Sequence, residues 1–306
     1  MSRARRRGSF PGAGFARPGE VRSICDGQSL SSADMSDLPG IPDDLRRRFD
    51  AWNDARPEQE PSSWTPRTWR RWLGDRAVFD RLPERVSRNA VTRQFEVAAE
   101  SADDLALVTD AFIAAMVWGY GPVGLGPYRT RRVLDLNPHA PGVLAKALDD
   151  AHKGDRKAAF EAMAGNKLKY LGPAFGTKFL YFASLTAGRD DAVCPVLDSI
   201  VAGWFRTHTT FAPKIAAWSW PVYRRYLEIL DAWSSELGIR SDQVELLIFD
   251  SAWKAVGRAE VADDLPTALL RVRELVADQF PDRESEFARP LDELDDLVAR
   301  STDTGS

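Results

Sequence analysis

The chain has 306 residues, with 41 basic and 45 acidic side chains and a formal charge of −4. At 44% apolar and 28% charged it reads as an ordinary globular protein with a sizeable core. Bulk charge excludes a histone-like polycation, and two cysteines exclude a disulfide framework, a four-cysteine zinc site and a cysteine-ligated iron–sulfur cluster.

The average charge conceals a skew. Of 33 Arg and 8 Lys, no Lys precedes Lys146 and six of the eight lie between Lys146 and Lys178. Val117 to Lys178 holds ten basic residues against five acidic.

Residues 1–34 mix Gly, Pro, Ser and Arg with little periodic hydrophobicity, and carry a net +5 up to Arg22. They read either as a disordered basic arm or as a mis-called start, with Met35 the initiator. Arg3, Arg5, Arg6 and Arg7 are followed by no apolar run, so no secretory signal is expected. The longest apolar stretch, Ala111 to Trp118, falls short of the roughly 20 residues that a spanning helix needs, and the chain is read as cytoplasmic. Residues 35–300 are expected to form one helical domain and 301–306 a frayed tail.

Residues 88–97 are ambiguous, because Val91, Arg93, Phe95 and Val97 alternate while Val91 and Phe95 also fit helical spacing. Ser101 and Asp104 have capping-box spacing, and Leu105, Val108, Phe112, Ala115 and Met116 then predict a buried helix ending near Gly119. A glycine-rich elbow follows, Trp118-Gly119-Tyr120-Gly121-Pro122-Val123-Gly124-Leu125-Gly126-Pro127-Tyr128-Arg129-Thr130-Arg131-Arg132. Its glycines permit close backbone approach, its aromatics offer stacking faces and its arginines suit phosphate; a structural loop with buried aromatics reads equally well. Pro141 starts a helix through about His152, and Asp155 caps another bearing Ala159, Phe160 and Met163. Further helices are predicted at 166–171, 177–186, 196–206, 221–237, 241–256, 264–279 and 290–300. The fold class is all-α. Trp218, Trp220, Trp233 and Trp253 read as core, while Trp204 either lines a pocket or packs. His139, His152 and His208 lack metal-site spacing and read as surface residues.

The informative stretch is Lys167-Leu168-Lys169-Tyr170-Leu171-Gly172-Pro173-Ala174-Phe175-Gly176-Thr177-Lys178, continuing into Phe179-Leu180-Tyr181-Phe182-Ala183. It reads as a short helix, a tight glycine turn and a second helix capped by Thr177, a helix-hairpin-helix candidate whose turn amides suit a phosphate. Gly-Thr-Lys here does not follow the phosphate-loop pattern, which needs GxxxxGK[ST] after a buried strand. Lys178 would stand in the first turn of the second helix, where the macrodipole disfavours a cation and favours the nucleophilic neutral amine. Arginine could not substitute, because it stays protonated. Taken alone, Lys178 also fits a lysine snorkelling off a helix start. In Cys194-Pro195-Val196-Leu197-Asp198-Ser199-Ile200, Asp198 taken alone reads as a helix stabiliser. The pair carries the argument.

A glycine hairpin ending in Gly-Thr-Lys, an apolar helix, a loop and an Asp heading the next helix resembles the helix-hairpin-helix base-excision DNA glycosylases, particularly those acting on 8-oxoguanine. The likeness covers 166–206 and, more loosely, 103–132. Lys178 matches the family's Schiff-base lysine and Asp198 its essential aspartate. The hairpin departs from the family's Leu-Pro-Gly-Val-Gly, reading Leu171-Gly172-Pro173-Ala174-Phe175-Gly176. The resemblance implies a helix-hairpin-helix glycosylase fold, with the motif at about 166–186 and a cleft between two helical subdomains. It implies a nucleotide flipped from the duplex, attack by the Lys178 amine on C1′, assistance by Asp198 and β-elimination. Gly172, Gly176, Thr177, Lys169, Arg129, Arg131 and Arg132 would hold DNA; Trp118, Tyr120, Tyr128 and Trp204 would form the base pocket. No metal or cofactor is implied for the chemistry, although a structural monovalent cation at the hairpin is admitted. The partner would be double-stranded DNA carrying a damaged base, bound by a monomer in the cytoplasm at the nucleoid. Two alternatives stand beside this reading: a non-catalytic helix-hairpin-helix DNA-binding module, and the same chemistry on another base in defence against foreign DNA.

Overall fold

The computed structural model describes residues 38–122, 126–215 and 218–260, the side chains of 251–260 excepted. The predicted arm at 1–34, the helices at 264–279 and 290–300, the tail at 301–306, the elbow positions 123–125 and the side chain of Trp253 lie outside the described residues.

Helices dominate. In chain order they are α1 Asp43–Asn53, α2 Pro66–Leu73, α3 Val78–Arg81, α4 Arg88–Glu100, α5 Leu105–Tyr120, α6 Gly126–Leu136, α7 Ala140–His152, α8 Arg156–Asn166, α9 Pro173–Leu185, α10 Ser199–His208, α11 Trp220–Leu237 and α12 Ser241–Glu260. The described strands are two-residue pieces, β1 Ser62–Ser63 and β2 Arg85–Val86, paired antiparallel. Thus the all-α expectation holds. No described helix is long and apolar enough to cross a membrane.

Local signals explain most boundaries. The ambiguous segment is α4, whose Ser87 cap accepts the Ala90 amide and whose Val91, Phe95 and Ala98 face the core at helical spacing. Asp104 caps α5 alone, accepting the Ala106 and Leu107 amides; Ser101 instead ends α4, and Leu105, expected on the buried face, is exposed. Asp155 caps α8 through the Ala158 amide, as the sequence predicts.

α5 and α9 form the centre. α5 is buried continuously from Val108 to Trp118, and α9 from Gly176 to Ser184, all round rather than along one stripe. Around α9 pack α4, α5, α7 and α8. Phe179 and Phe182 meet Phe95 of α4 at ring separations of 5.1 and 5.7 Å, and Trp118 of α5 stands edge-on to Phe182 at 5.1 Å.

The hairpin lies one element earlier than the sequence suggests. Residues 166–171 do not form a helix; α8 is the first arm, and residues 167–172 are the turn. Lys167 and Tyr170 take left-handed backbone conformations, which end α8 and turn the chain. The second arm begins at Pro173 with Gly172 as its cap residue, so Thr177 caps nothing and is the fifth residue of α9.

Candidate active site

Two elements bring Lys178 and Asp198 together. Lys178 is the sixth residue of α9, in its second turn and not its first, so the dipole argument for an uncharged amine does not apply. A carboxylate stands at the amine instead: Lys178 Nζ donates to Asp198 Oδ2 at 3.0 Å, and both side chains are about 10% exposed.

Asp198 performs two jobs at once. Its Oδ1 accepts the Ile200 and Val201 amides, both at 3.1 Å, which makes it the N-cap of α10, while Oδ2 faces the lysine. The capping role anchors the carboxylate, so the oxygen turned to Lys178 is held in place.

The chain leading to Asp198 is fastened on both sides. Thr177 of α9 accepts the Leu197 amide at 3.1 Å, and Ser184 accepts the Cys194 amide at 2.8 Å. On the opposite side, the Tyr223 and Tyr226 hydroxyls of α11 donate to the Pro195 and Val196 carbonyls at 2.9 and 2.7 Å. A buried extended segment must find partners for its backbone groups, and these four side chains supply them. Thr177, expected as a cap, therefore positions Asp198 through its neighbour Leu197.

Close approach of α5 makes room for the lysine stem. A Cβ on Gly119 would stand 2.9 Å from Lys178 Cδ and 3.1 Å from Phe175 Cε1, so only glycine fits there without displacing them. Beneath the amine lies the Phe175 ring, 5.3 Å from Nζ, and Tyr120 stacks on that ring at 3.9 Å. Burial pushes the Tyr120 phenol up, partly offset by nearby Arg129. Gly176 is equally constrained, since a Cβ would fall 2.0 Å from Trp218 Cη2.

The structure distributes the other expected residues differently. Arg132 lies over the Tyr170 ring of the hairpin at 5.1 Å. Arg131 is exposed, bonding Asp135 and the Trp72 carbonyl. Gly172 and Lys169 are exposed on the turn. Among the aromatics expected to form one base pocket, Trp118 is buried against Phe182, Tyr120 covers Phe175, and Tyr128 meets Trp72. Trp204 stacks on His208, meets Trp233 and donates to Asp44, so it belongs to the α1–α10–α11 core. The four do not surround one space.

The space lies one turn further along α9. A cleft of about 360 Å³ is bordered by Trp52, Gln59, Arg88, Tyr181, Asp242 and Leu246, among others. Arg88 reaches it from behind: it pairs with buried Glu245 at 3.0 Å and bonds Gln59 at 2.8 Å. Its guanidinium lies over the Trp118 and Tyr181 rings at 5.4 and 4.8 Å. Tyr181 donates to Asp242 at 3.1 Å, and Arg240 holds the same carboxylate. Burial pushes Tyr181 up to about 12 and Glu245 up to about 7; Asp198 is among the charges that raise Glu245, so cleft and lysine share one electrostatic field. Sequence reasoning missed Arg88, Asp242 and Glu245 because charged residues near a helix start are ordinary, and Tyr181 because it stands in the apolar run that buries α9.

A further missed residue fixes the hairpin. Buried Asn137, just past α6, donates to the Val133 and Lys169 carbonyls at 2.7 and 3.1 Å and accepts the Lys169 amide at 3.0 Å. One amide side chain thus ties the turn to α6.

An all-α body that buries a lysine–carboxylate pair beside a helix hairpin, with a polar cleft one turn away, has the fold of the helix-hairpin-helix DNA glycosylases. The model of the family described as "Putative 8-oxoguanine DNA glycosylase OGG-like protein" matches residues 55–249, and the chain belongs to that family. No curated protein and no solved structure matches the chain.

Proposed function

We propose that the protein is a bifunctional DNA glycosylase and abasic-site lyase that excises an oxidised purine, 8-oxoguanine first among candidates, through a Schiff base on Lys178. The observation that carries this reading is the Lys178–Asp198 pair, 3.0 Å apart and almost wholly buried. A buried ion pair is weak as a stabilising device, since desolvation offsets much of its attraction; a buried lysine with a proton acceptor in contact is what amine catalysis requires.

The steps follow from that contact. Asp198 takes a proton from Nζ, and the freed amine attacks C1′ of a flipped nucleotide while the base departs with the electrons of the glycosidic bond. Passing that proton to the departing base restores the carboxylate, which, fixed by its two amide bonds, stabilises positive charge developing on the sugar. The attached nitrogen gives a proton to O4′ as the ring opens to the iminium, Asp198 takes the C2′ proton while the 3′ phosphate leaves with the C3′–O electrons, and water hydrolyses the imine to release the lysine. The cleft beside Tyr181 is our candidate for the base: neither Lys178 nor Asp198 lines it, but Arg88 and Asn89 offer donors while Asp242 and Gln59 offer acceptors, a mixed set suited to a purine edge.

Base release and strand nicking on duplexes containing 8-oxoguanine or other modified bases test the reading. Release of 8-oxoguanine with coupled nicking is the expected result, lost in Lys178→Gln. Preferential release of another base would move the protein to a different substrate, and duplex binding without release of any base would make it a non-catalytic DNA-binding module.

A further inference from the structure

Arg88 brings the cleft more than a hydrogen-bond donor. It is the first residue of α4, where the helix macrodipole disfavours positive charge, and its side chain is only 15% exposed. Burial works against the charge, yet Tyr181, Glu245 and Asp242 hold the guanidinium protonated. A buried ion pair adds little stability, so holding α4 to α12 does not account for a cation in so unfavourable a place.

The neighbours of Arg88 also touch the reacting pair. Its guanidinium lies 4.8 Å from the Tyr181 ring, one turn beyond Lys178 on α9, and 5.4 Å from the Trp118 ring. Trp118 directly precedes Gly119, which abuts the Lys178 stem. Glu245, its ion-pair partner at 3.0 Å, lies within the field of Asp198.

The charge of Arg88 is incompletely cancelled. Glu245, with its carboxyl raised to about 7, is only partly ionised at neutral pH. Asp242 is already held by two nitrogens of Arg240 and by the Tyr181 hydroxyl. At this end of the cleft, two guanidinium groups therefore meet one full and one partial negative charge.

Breaking a glycosidic bond leaves its electron pair on the base. Where the glycosidic nitrogen adjoins a carbonyl carbon, as in 8-oxoguanine, that charge passes to the exocyclic oxygen, an acceptor that suits a guanidinium and that unmodified guanine lacks.

We infer that Arg88 is a catalytic residue for the departing base: its guanidinium binds the exocyclic oxygen and stabilises the negative charge that forms there until the proton from Asp198 reaches the base. The inference rests on the proposed function and deepens it, since it selects purines with an oxygen beside the glycosidic nitrogen. Arg88 gives up no proton and stays charged throughout. Because the attraction grows as the bond breaks, it lowers the barrier and does not merely tighten substrate binding.

Two assays and two positions separate this role from a structural one. Release of base from an 8-oxoguanine duplex calls on Arg88, whereas nicking of a duplex with a preformed aldehydic abasic site has no base to lose. Arg88→Gln should slow single-turnover release about 100-fold and leave abasic-site nicking close to wild type, with Arg88→Lys recovering part of the loss. Glu245→Gln breaks the same ion pair but spares the cation, and should release base at least as fast as the wild type. If the pair served only to join α4 to α12, Arg88→Gln and Glu245→Gln would lose release alike. That result, or wild-type release by Arg88→Gln, or equal loss of release and nicking in both Arg88 variants, overturns the assignment and leaves the lysine chemistry standing. A wild-type protein that releases no base overturns the glycosylase reading itself, and the Arg88 assignment falls with it.

Discussion

Lys178 sits where a single methyl group on the facing helix would displace it. Gly119→Ala places a Cβ 2.9 Å from Lys178 Cδ, against a stem confined by Phe175 and Asp198, so the amine must shift from its partner. We expect base release to fall by at least tenfold with the helical content preserved, since small misplacements of a reacting group are costly. Circular dichroism beside single-turnover kinetics checks both halves. Removing the amine has a different signature: Lys178→Gln leaves the Asp198 carboxylate buried without its cation, and a loss of about 1–3 kcal/mol is expected in urea unfolding, eased by the two amides that still bind it.

Glu245 supplies a pH test at the same scale. Burial raises its carboxyl from 4.5 to about 7, and Asp198 and Asp242 add to the rise, while Arg88 pulls the other way. Tyr181 and Tyr226 also feel its charge. The native protein therefore binds more protons here than the unfolded chain between about pH 4.5 and 7. Stability from this group is fully present below that window and is lost as pH climbs through it. Glu245→Gln should remove the loss, so the wild type, relative to this variant, should weaken by roughly 2–3 kcal/mol between pH 5 and pH 8 in denaturant titrations. Equal slopes for the two proteins would contradict the assignment.

At the scale of elements, the hairpin shows how far sequence reading reaches. Gly176-Thr177-Lys178 and Asp198 were legible as a pair through their resemblance to the glycosylase family, each residue alone fitting an ordinary helix position. Where α9 starts was not: Thr177 has the chemistry of a cap, but Gly172-Pro173 had already begun the helix, and the Thr hydroxyl bonds Leu197 across space. Nor could the aromatic elbow be resolved from its composition. Trp118 and Tyr120 are two residues apart on one helix, yet one is held in the core by Phe182 and the other covers Phe175, and only packing partners distinguish them. Asn137 gave no signal at all, since an Asn after a helix is ordinary. Its three bonds make a testable claim about the element they hold: Asn137→Ala should free the 167–172 turn, weaken duplex binding severalfold and cost about 1–3 kcal/mol. Hydrogen exchange at the Lys169 amide would report the release directly.

For the whole molecule, the formal charge of −4 is an average over unequal regions. The ten basic residues from Val117 to Lys178 fall on α6, α7 and its C-cap Lys153, α8, the hairpin and α9, and α2, which carries three arginines, packs against α6. Duplex affinity should fall steeply with salt despite the net negative charge, and Arg131→Ala or Lys169→Ala should each lower the slope of log K against log salt by about one. A slope near zero would contradict the assigned face.

The most direct test of the central claim is borohydride trapping on lesion-containing duplex, followed by mass mapping of the linked peptide. The account predicts a covalent protein–DNA complex whose attachment maps to Lys178, absent in Lys178→Gln and strongly reduced in Asp198→Asn. Attachment at another amine, or equal trapping by Lys178→Gln, would contradict it.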